Sequence, residues 1–585
     1  MEFSRNPRVK IRQWEVLGQV AGSAEDRHIK IEEAVGEGPS SPLSIEVPVG
    51  ARGRPGTSFR SLAGGMTMTN ERTRRDFLSD VGRGTLIAAL GGGAAQELGL
   101  GLASAHAGDA RDRLTFGPRE ALVGLMQETP MERLVPVLIE TMKQGTSLRD
   151  LVAAGALANA RTFGGEDYIG FHTMMAMAPA LHMSGELPEA RRALPVIKVL
   201  YRNTQRIAEF GGPSKEVLHT VRPGSGDAES LREAVRARQM EQADSTFASL
   251  AQGEPRDALI AALLAVQDET EVHRTVLPYR SWDLLGLIGM EHAQTLLRQS
   301  VHYCVKNERN GPGAVVNSGP RVVLPRLFEK FGLAKKTPGR READDKWVDD
   351  FSRTVFEGTA EHAAEATAAA LSEGFAPSVV GEALALAANQ LVLRDMGRYG
   401  NQIQPGKPAG SVHGDSIGVH ACDSTNAWRH LALAADPRNT FACLILGAYQ
   451  VARDRVDRGG DFLTWKPRPW GEDLESVRPA APAEMLGALH EAVRGNEQAR
   501  ACALTYRLCE TSVDPNDIFQ VLLGYACSED GALHAEKFYR TVREEFTETR
   551  PAFRSRHLVA LARVTASEYG RPAPGFAEAK ERLGA

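Results

Sequence analysis

The sequence predicts an all-α fold: a repetitive multi-helix array or bundle carrying a diverged internal repeat. Three observations lead there. Of the 585 residues 42% are hydrophobic but only 6% aromatic, with Ala and Leu prominent, a balance that favours helix over sheet. From Leu114 onward apolar residues recur at three- and four-residue intervals, as in RLVPVLIETMKQG, LRDLVAAGALANARTF and VVGEALALAANQLVL, whereas sustained alternation is missing. A unit of two helices, a Gly turn and a further helix opening on His also recurs along the chain. Typical helix lengths put the total at roughly 18 to 25 helices.

Taken in order, residues 1–65 are rich in Gly, Pro, Ser and charge without periodicity, and read as a disordered leader or a mis-annotated start. Residues 66–107 carry a basic segment, a mildly apolar Gly-rich stretch and the small residues Ala103, Ala105 and Ala107. Thr73, Arg74, Arg75, Asp76, Phe77 and Leu78 resemble the S/T-R-R-x-F-L core of a twin-arginine (Tat) signal, with cleavage expected after Ala107. The resemblance implies export to the periplasm or another extracytoplasmic space, with the Tat translocase as a partner during export. That machinery moves folded cargo, often with a cofactor already in place. Glu97 and the glycines make this stretch too weak for a hydrocarbon span, so no stable membrane span is expected after cleavage.

The remainder divides into an N-terminal helical half, 108–330, and a C-terminal helical half, 331–585, with Gly/Pro-rich breaks near 307–345 and 456–482. The recurring unit ends at His172 (SLRDLVAAGALANARTFGGEDYIGFH), at His292 (PYRSWDLLGLIGMEH), at His420 (DSIGVH) and at His534 (SEDGALH). Three of these four endings read Ile-Gly, one or two residues, then His. The glycine is expected to release the backbone so that the histidine opens a helix.

The helix dipole at such a position disfavours imidazolium, and a neutral imidazole can ligate metal. One ligand per helix is how bundle proteins build metal centres. His172, His292, His420 and His534 are therefore the candidate metal ligands, with Fe, Cu and Zn all suited to an imidazole site. Asp167 and Glu291, close to two of them, are the candidate assisting carboxylates in catalysis. The spacing H-x9-H, at 172/182, 292/302 and 420/430, is excluded as a chelating pair. Ten residues climb about 15 Å along a helix, while metal–nitrogen bonds are about 2 Å. Met174, Met175, Met177 and Met183 spread round their helix and read as core. The six cysteines form no C-x-x-C pair. A net charge of −5 gives no dedicated nucleic-acid surface.

GFHTMMAMAPALHM and GVHACDSTNAWRHL resemble segments of questin oxidase-like helical proteins. The resemblance covers only those two stretches, carries over no catalytic residue, and tilts the expected chemistry toward oxygen. The functional expectation is an exported, all-helical, His-ligated metalloenzyme, an oxidoreductase acting on a small molecule. Two alternatives stay open: a metal-free oxygenase using His as general base, and a helical-repeat binding or scaffold protein whose histidines are structural.

Overall fold

Four helices at the centre of the chain decide where its chemistry can lie. They are Tyr168–Glu186, Val272–Ile288, Ile417–Ala434 and His534–Glu548, named below after His172, His273, His420 and His534. In the computed structural model, which describes residues 113–585 except 311–315 and 479, each packs on two of the others, and together they close a ring. Two come from each predicted half. Among the described residues there are 23 α-helices and no strand, as the periodicity predicts. The leader and the signal lie outside the described residues.

A second tier of helices covers the ring. Leu148–Phe163 and Ala193–Phe210 pack on the His172 helix, Pro377–Arg394 and Pro437–Arg458 on the His420 helix, Ala293–Lys306 on the His273 helix, and Arg554–Glu568 on the His534 helix. The cover explains why the His172 helix lacks a polar face. From Gly170 to Ala180 the His172 helix is buried without a break, its methionines included. A helix apolar all round belongs inside a large core. Among the described residues, none of the helices is long and apolar enough to cross a membrane.

Three of the four ring helices begin at a side-chain cap. Asp167 accepts from the Gly170 N–H at 2.7 Å, Glu271 from Arg274 N–H at 3.0 Å, and Ser416 from Val419 N–H at 3.4 Å. The glycines of the Ile-Gly-x-His stretches therefore do not release the chain as expected. Gly170 and Gly418 lie inside the first helical turn, and what they provide is close approach. A Cβ on Gly170 would come within 2.5 Å of the Phe163 ring, and one on Gly418 within 2.8 Å of the Leu391 backbone. Only Gly289, at φ 130°, ends a helix and turns the chain, so the Ile288–His292 copy is structurally unlike the other two.

Beside the ring, His302 is clamped between two carboxylates. Its Nε2 lies 2.8 Å from Asp244 and its Nδ1 3.1 Å from Glu166, while Arg298 holds Asp244 at 2.6 Å and Lys306 holds Glu166 at 2.9 Å. Burial works against charge on His302, but the hydrogen bonds to Asp244 and Glu166 outweigh it and raise its pKa. A folded pKa above the unfolded value of about 6.5 stabilises fully below that pH, and the contribution fades as pH rises through the folded pKa. Asp244, driven down to about 2 by Arg298 and His302 against its burial, gives the opposite limb. The pair is expected to be most stabilising between about pH 4 and 6.5. In urea unfolding, His302→Gln should flatten the decline in stability above pH 6.5; a slope equal to that of the wild type would remove His302 as its source.

Candidate functional site

Each ring helix brings one imidazole to the same end of the bundle, in its opening turns. The four rings are 3–6% exposed. They meet as two close pairs: His172 Nε2 lies 3.2 Å from His273 Nε2, and His420 Nε2 lies 3.1 Å from His534 Nε2. The pairs also touch each other, with ring centroids 5.2 Å apart for His172 and His534 and 5.8 Å for His273 and His420. Among the described residues no group of three or more His, Cys, Asp or Glu side chains is so placed that it could hold a metal ion.

The hydrogen bonds behind the first pair fix its tautomers. His172 Nδ1–H donates to the Tyr168 carbonyl at 2.7 Å, a partner that can only accept. His273 Nδ1–H donates to the Glu271 carboxylate at 2.7 Å, and the Tyr303 hydroxyl donates to the other oxygen of Glu271, also at 2.7 Å. Glu271 is partly buried, which works against its charge. His273, Tyr303 and the Arg274 N–H nevertheless hold it well below the usual carboxylate range. With both Nδ1 atoms protonated, the two Nε2 atoms present lone pairs to each other across 3.2 Å. Lone pairs so placed repel unless a positive species, a proton or a metal cation, lies between them.

Three of the four rings take up a proton poorly. Burial, then Lys537, His273 and His534, hold His172 well below the ordinary histidine range. His420 falls to about 3, through burial first and then His273 and Lys537. His534 is lowered in the same sense, by burial, Lys537 and His420. Against His534 the backbone comes very close: a Cβ on Gly414 would lie 2.2 Å from His534 Cβ, so only glycine fits there. The Gly414 N–H donates to Glu568 at 2.8 Å, and burial lifts that carboxyl to about 7.

Tyr168 stands over the first pair. Its ring centroid is 4.3 Å from that of His172 and 5.7 Å from that of His273, yet the residue is 36% exposed. It thus separates the imidazoles from solvent. Deeper in the bundle a polar layer continues: Thr541 donates to Asp423 at 2.8 Å, Arg280 donates to Thr541 at 3.1 Å, and the Tyr279 hydroxyl donates to Glu544 at 2.9 Å. The second members of two H-x9-H spacings belong here. His182 meets Asp283 at 3.0 Å and His430 stacks on Tyr279. A surface cleft of about 600 Å³ lined by Asp227, Glu229 and Glu233 holds no imidazole or thiol.

Of the predicted ligands, His172, His420 and His534 are brought together and His292 is not. Its Nε2 accepts from Arg119 at 3.0 Å, at the turn where Gly289 ends a helix, with Glu291 3.5 Å away. The fourth imidazole is His273, which the Ile-Gly-x-His pattern does not contain. The carboxylates shift in the same way. Glu291 has a side chain 61% exposed beside Arg119, and Asp167 spends its oxygens on the Gly170 N–H and on Arg206, at 2.9 and 2.6 Å. The carboxylate that touches the cluster is Glu271.

No family model matches this chain, and neither a curated protein nor a solved structure matches it. The four-helix ring with its buried imidazoles is thus what any statement of function must start from.

Proposed function

We propose that the chain is an exported, all-helical metalloenzyme whose centre is formed by His172, His273, His420 and His534, and that it acts as an oxidoreductase on a small molecule. The observation that carries the proposal is the facing of the His172 and His273 Nε2 atoms at 3.2 Å while both Nδ1 hydrogens are committed elsewhere. Two nitrogens about 2.0 Å from one tetrahedral ion lie about 3.3 Å apart, and both pairs are near that separation, at 3.2 and 3.1 Å. Glu271 on His273 and the Tyr168 carbonyl on His172 supply the outer hydrogen bonds that orient metal-binding imidazoles. An all-imidazole donor set suits Fe, Cu or Zn; bound Fe or Cu supplies one-electron and oxygen chemistry.

The protein's own share of the work follows from what surrounds the rings. Burial keeps His172, His420 and His534 neutral and excludes water, Glu271 orients the His273 ring, and Tyr168 guards the approach from solvent. Export through the Tat pathway, read from Thr73–Leu78, belongs to the same proposal and agrees with a cofactor inserted before translocation. A metal-free reading is favoured by the arrangement in pairs, since one shared proton per pair also relieves the repulsion.

Elemental analysis of protein purified without a His-tag separates the two. Stoichiometric Fe, Cu or Zn is expected, and Glu271→Gln should weaken its binding by roughly 10- to 100-fold, the usual effect of altering a group that orients a ligand. Metal-free protein that cannot be reconstituted with any of the three would overturn the metalloenzyme reading.

A further inference from the structure

His302 ties together two pieces of the fold that lie far apart in sequence. Asp244 belongs to the Met240–Leu250 helix, and Glu166 closes the turn that leads from Leu148–Phe163 into the His172 helix. The two carboxylates are held unequally. Arg298 grips Asp244 with two bonds, at 2.9 and 2.6 Å, and the Asp244 side chain is 9% exposed. Glu166 is 23% exposed and divides its oxygens between His302 and Lys306, whose own side chain is 55% exposed. An ion pair so open to water contributes little, so His302 is the stronger hold on Glu166.

The turn itself rests directly on the Ala293–Lys306 helix. Gly164 and Gly165 take φ of 57° and 82°, and a Cβ on Gly165 would lie 2.3 Å from the Gln299 carbonyl oxygen. One residue past Glu166, Asp167 caps the His172 helix, and Tyr168 and His172 follow in its opening turns. What holds Glu166 therefore bears on the start of that helix.

Imidazole chemistry makes the hold conditional. Protonated, His302 donates from both nitrogens, one to each carboxylate; neutral, it keeps a single N–H. The shorter bond and the firmer partner retain that N–H on Nε2, toward Asp244 at 2.8 Å, and the Nδ1 lone pair then faces a Glu166 oxygen at 3.1 Å. Burial opposes the charge, but the bonds to Asp244 and Glu166 carry the charged form above the ordinary histidine range of about 6.5, and it is lost as pH rises further. The charged groups that face His302 are Asp244, Glu166, and Arg298 and Lys306 of its own helix. Those on the other helices packed against that helix are engaged elsewhere: Arg274 with the Ala265 carbonyl, Glu271 with His273 and Tyr303, Arg161 with Glu120, Arg236 with Asp268 and Arg256 with the Ala434 carbonyl.

We infer that His302 is a pH-operated latch on the turn Gly164–Glu166: charged, it pins the start of the His172 helix to the Ala293–Lys306 helix, and neutral, it lets that start go. The latch stands on the clamp alone and requires no metal at the imidazole cluster.

Hydrogen exchange read by mass spectrometry on peptides spanning residues 164–175 tests it, each rate being divided by the intrinsic rate at its pH. In the wild type, protection of this segment is expected to fall roughly 10-fold between about pH 5.5 and about pH 9, the scale of one charge-assisted hydrogen bond, while the Pro437–Arg458 helix changes less. His302→Gln, whose side chain carries no titrating group, should show equal protection at the two pH values. No fall in the wild type, a fall shared equally by Pro437–Arg458, or a fall as large in the variant overturns the inference. Should His302→Gln not fold, Glu166→Gln decides the matter. There His302 still titrates against Asp244, but an amide can offer its oxygen to the charged ring and its N–H to the neutral one. The fall should vanish from residues 164–175, and its persistence would overturn the latch.

Discussion

Replacing His172 and His420 together by alanine is expected to abolish stoichiometric metal binding while leaving the helical fold intact. The double change takes one imidazole from each close pair, so that no two facing Nε2 atoms remain. Altering even a group behind a ligand costs roughly 10- to 100-fold in affinity, so losing two ligands should cost more than about 100-fold. The fold should survive because both positions lie in opening turns whose caps, Asp167 and Ser416, are untouched, and alanine is the best helix former. The metal-free proteins give a sharper contrast. If the facing lone pairs of His172 and His273 strain the empty wild type, removing His172 relieves that strain. The metal-free double variant should then melt no lower than metal-free wild type. If the histidines instead serve as structural hydrogen-bonding groups, each deletion orphans a buried partner at about 1–3 kcal/mol and the melting temperature falls. Metal content by elemental analysis and melting by circular dichroism together decide between a binding centre and a scaffold.

The sequence carried the helical class and three of the four imidazoles because both depend on local rules. Three- and four-residue periodicity marks an amphipathic helix wherever it packs, and a histidine in an opening turn is visible in DYIGFH and DSIGVH. His273 escaped because the pattern sought was the glycine. Gly170 and Gly418 are there for the Phe163 ring and the Leu391 backbone, tertiary neighbours that no local rule reveals. What three of the four cluster helices share is an acidic or hydroxyl cap a few residues before the histidine: Asp167, Glu271 and Ser416. Read by its cap, TEVHRTVLPYRSW would have offered His273 and Glu271 together. His292 misled for the same reason, since Gly289 in the IGMEH stretch ends a helix where the other two lie within one. Lys537 and the Lys198–Glu536 pair were beyond reach of the sequence, because charged residues at helical spacing are ordinarily assigned to the solvent face.

That last pair should give the largest loss of stability in the chain. Lys198 and Glu536 have side chains with no exposure at all, and Lys198 Nζ lies 2.7 Å from the Glu536 carboxylate. Lys198 also donates to the carbonyl of Ala526 at 2.8 Å and to that of Glu529, where the helix Pro515–Ser528 ends. A cation at a helix C-terminus satisfies carbonyls that the helix itself leaves open. One ammonium thus joins the Ala193–Phe210 helix, the end of Pro515–Ser528 and the first turn of the His534 helix. Lys198→Met removes the cation but keeps its length and most of its packing. It leaves a buried carboxylate and two carbonyls without their donor, at a cost of about 3–5 kcal/mol. Burial already raises the pKa of Glu536 against the pull of Lys198, so without the lysine the carboxyl should fold protonated. The loss should accordingly be smaller at acid pH than at neutral pH, since a group with a raised folded pKa stabilises only while it holds its proton. Lys198→Met/Glu536→Leu, which removes both charges, should regain most of the stability, because a buried ion pair contributes little over apolar residues of similar volume. Urea unfolding at pH 5 and pH 7 reads all three proteins. A single-variant loss below about 1 kcal/mol, the scale of an exposed pair, would mean that water reaches the site. The same perturbation reaches the functional centre, since Glu536 lies between His534 and Lys537 on the helix that Lys198 pins in place.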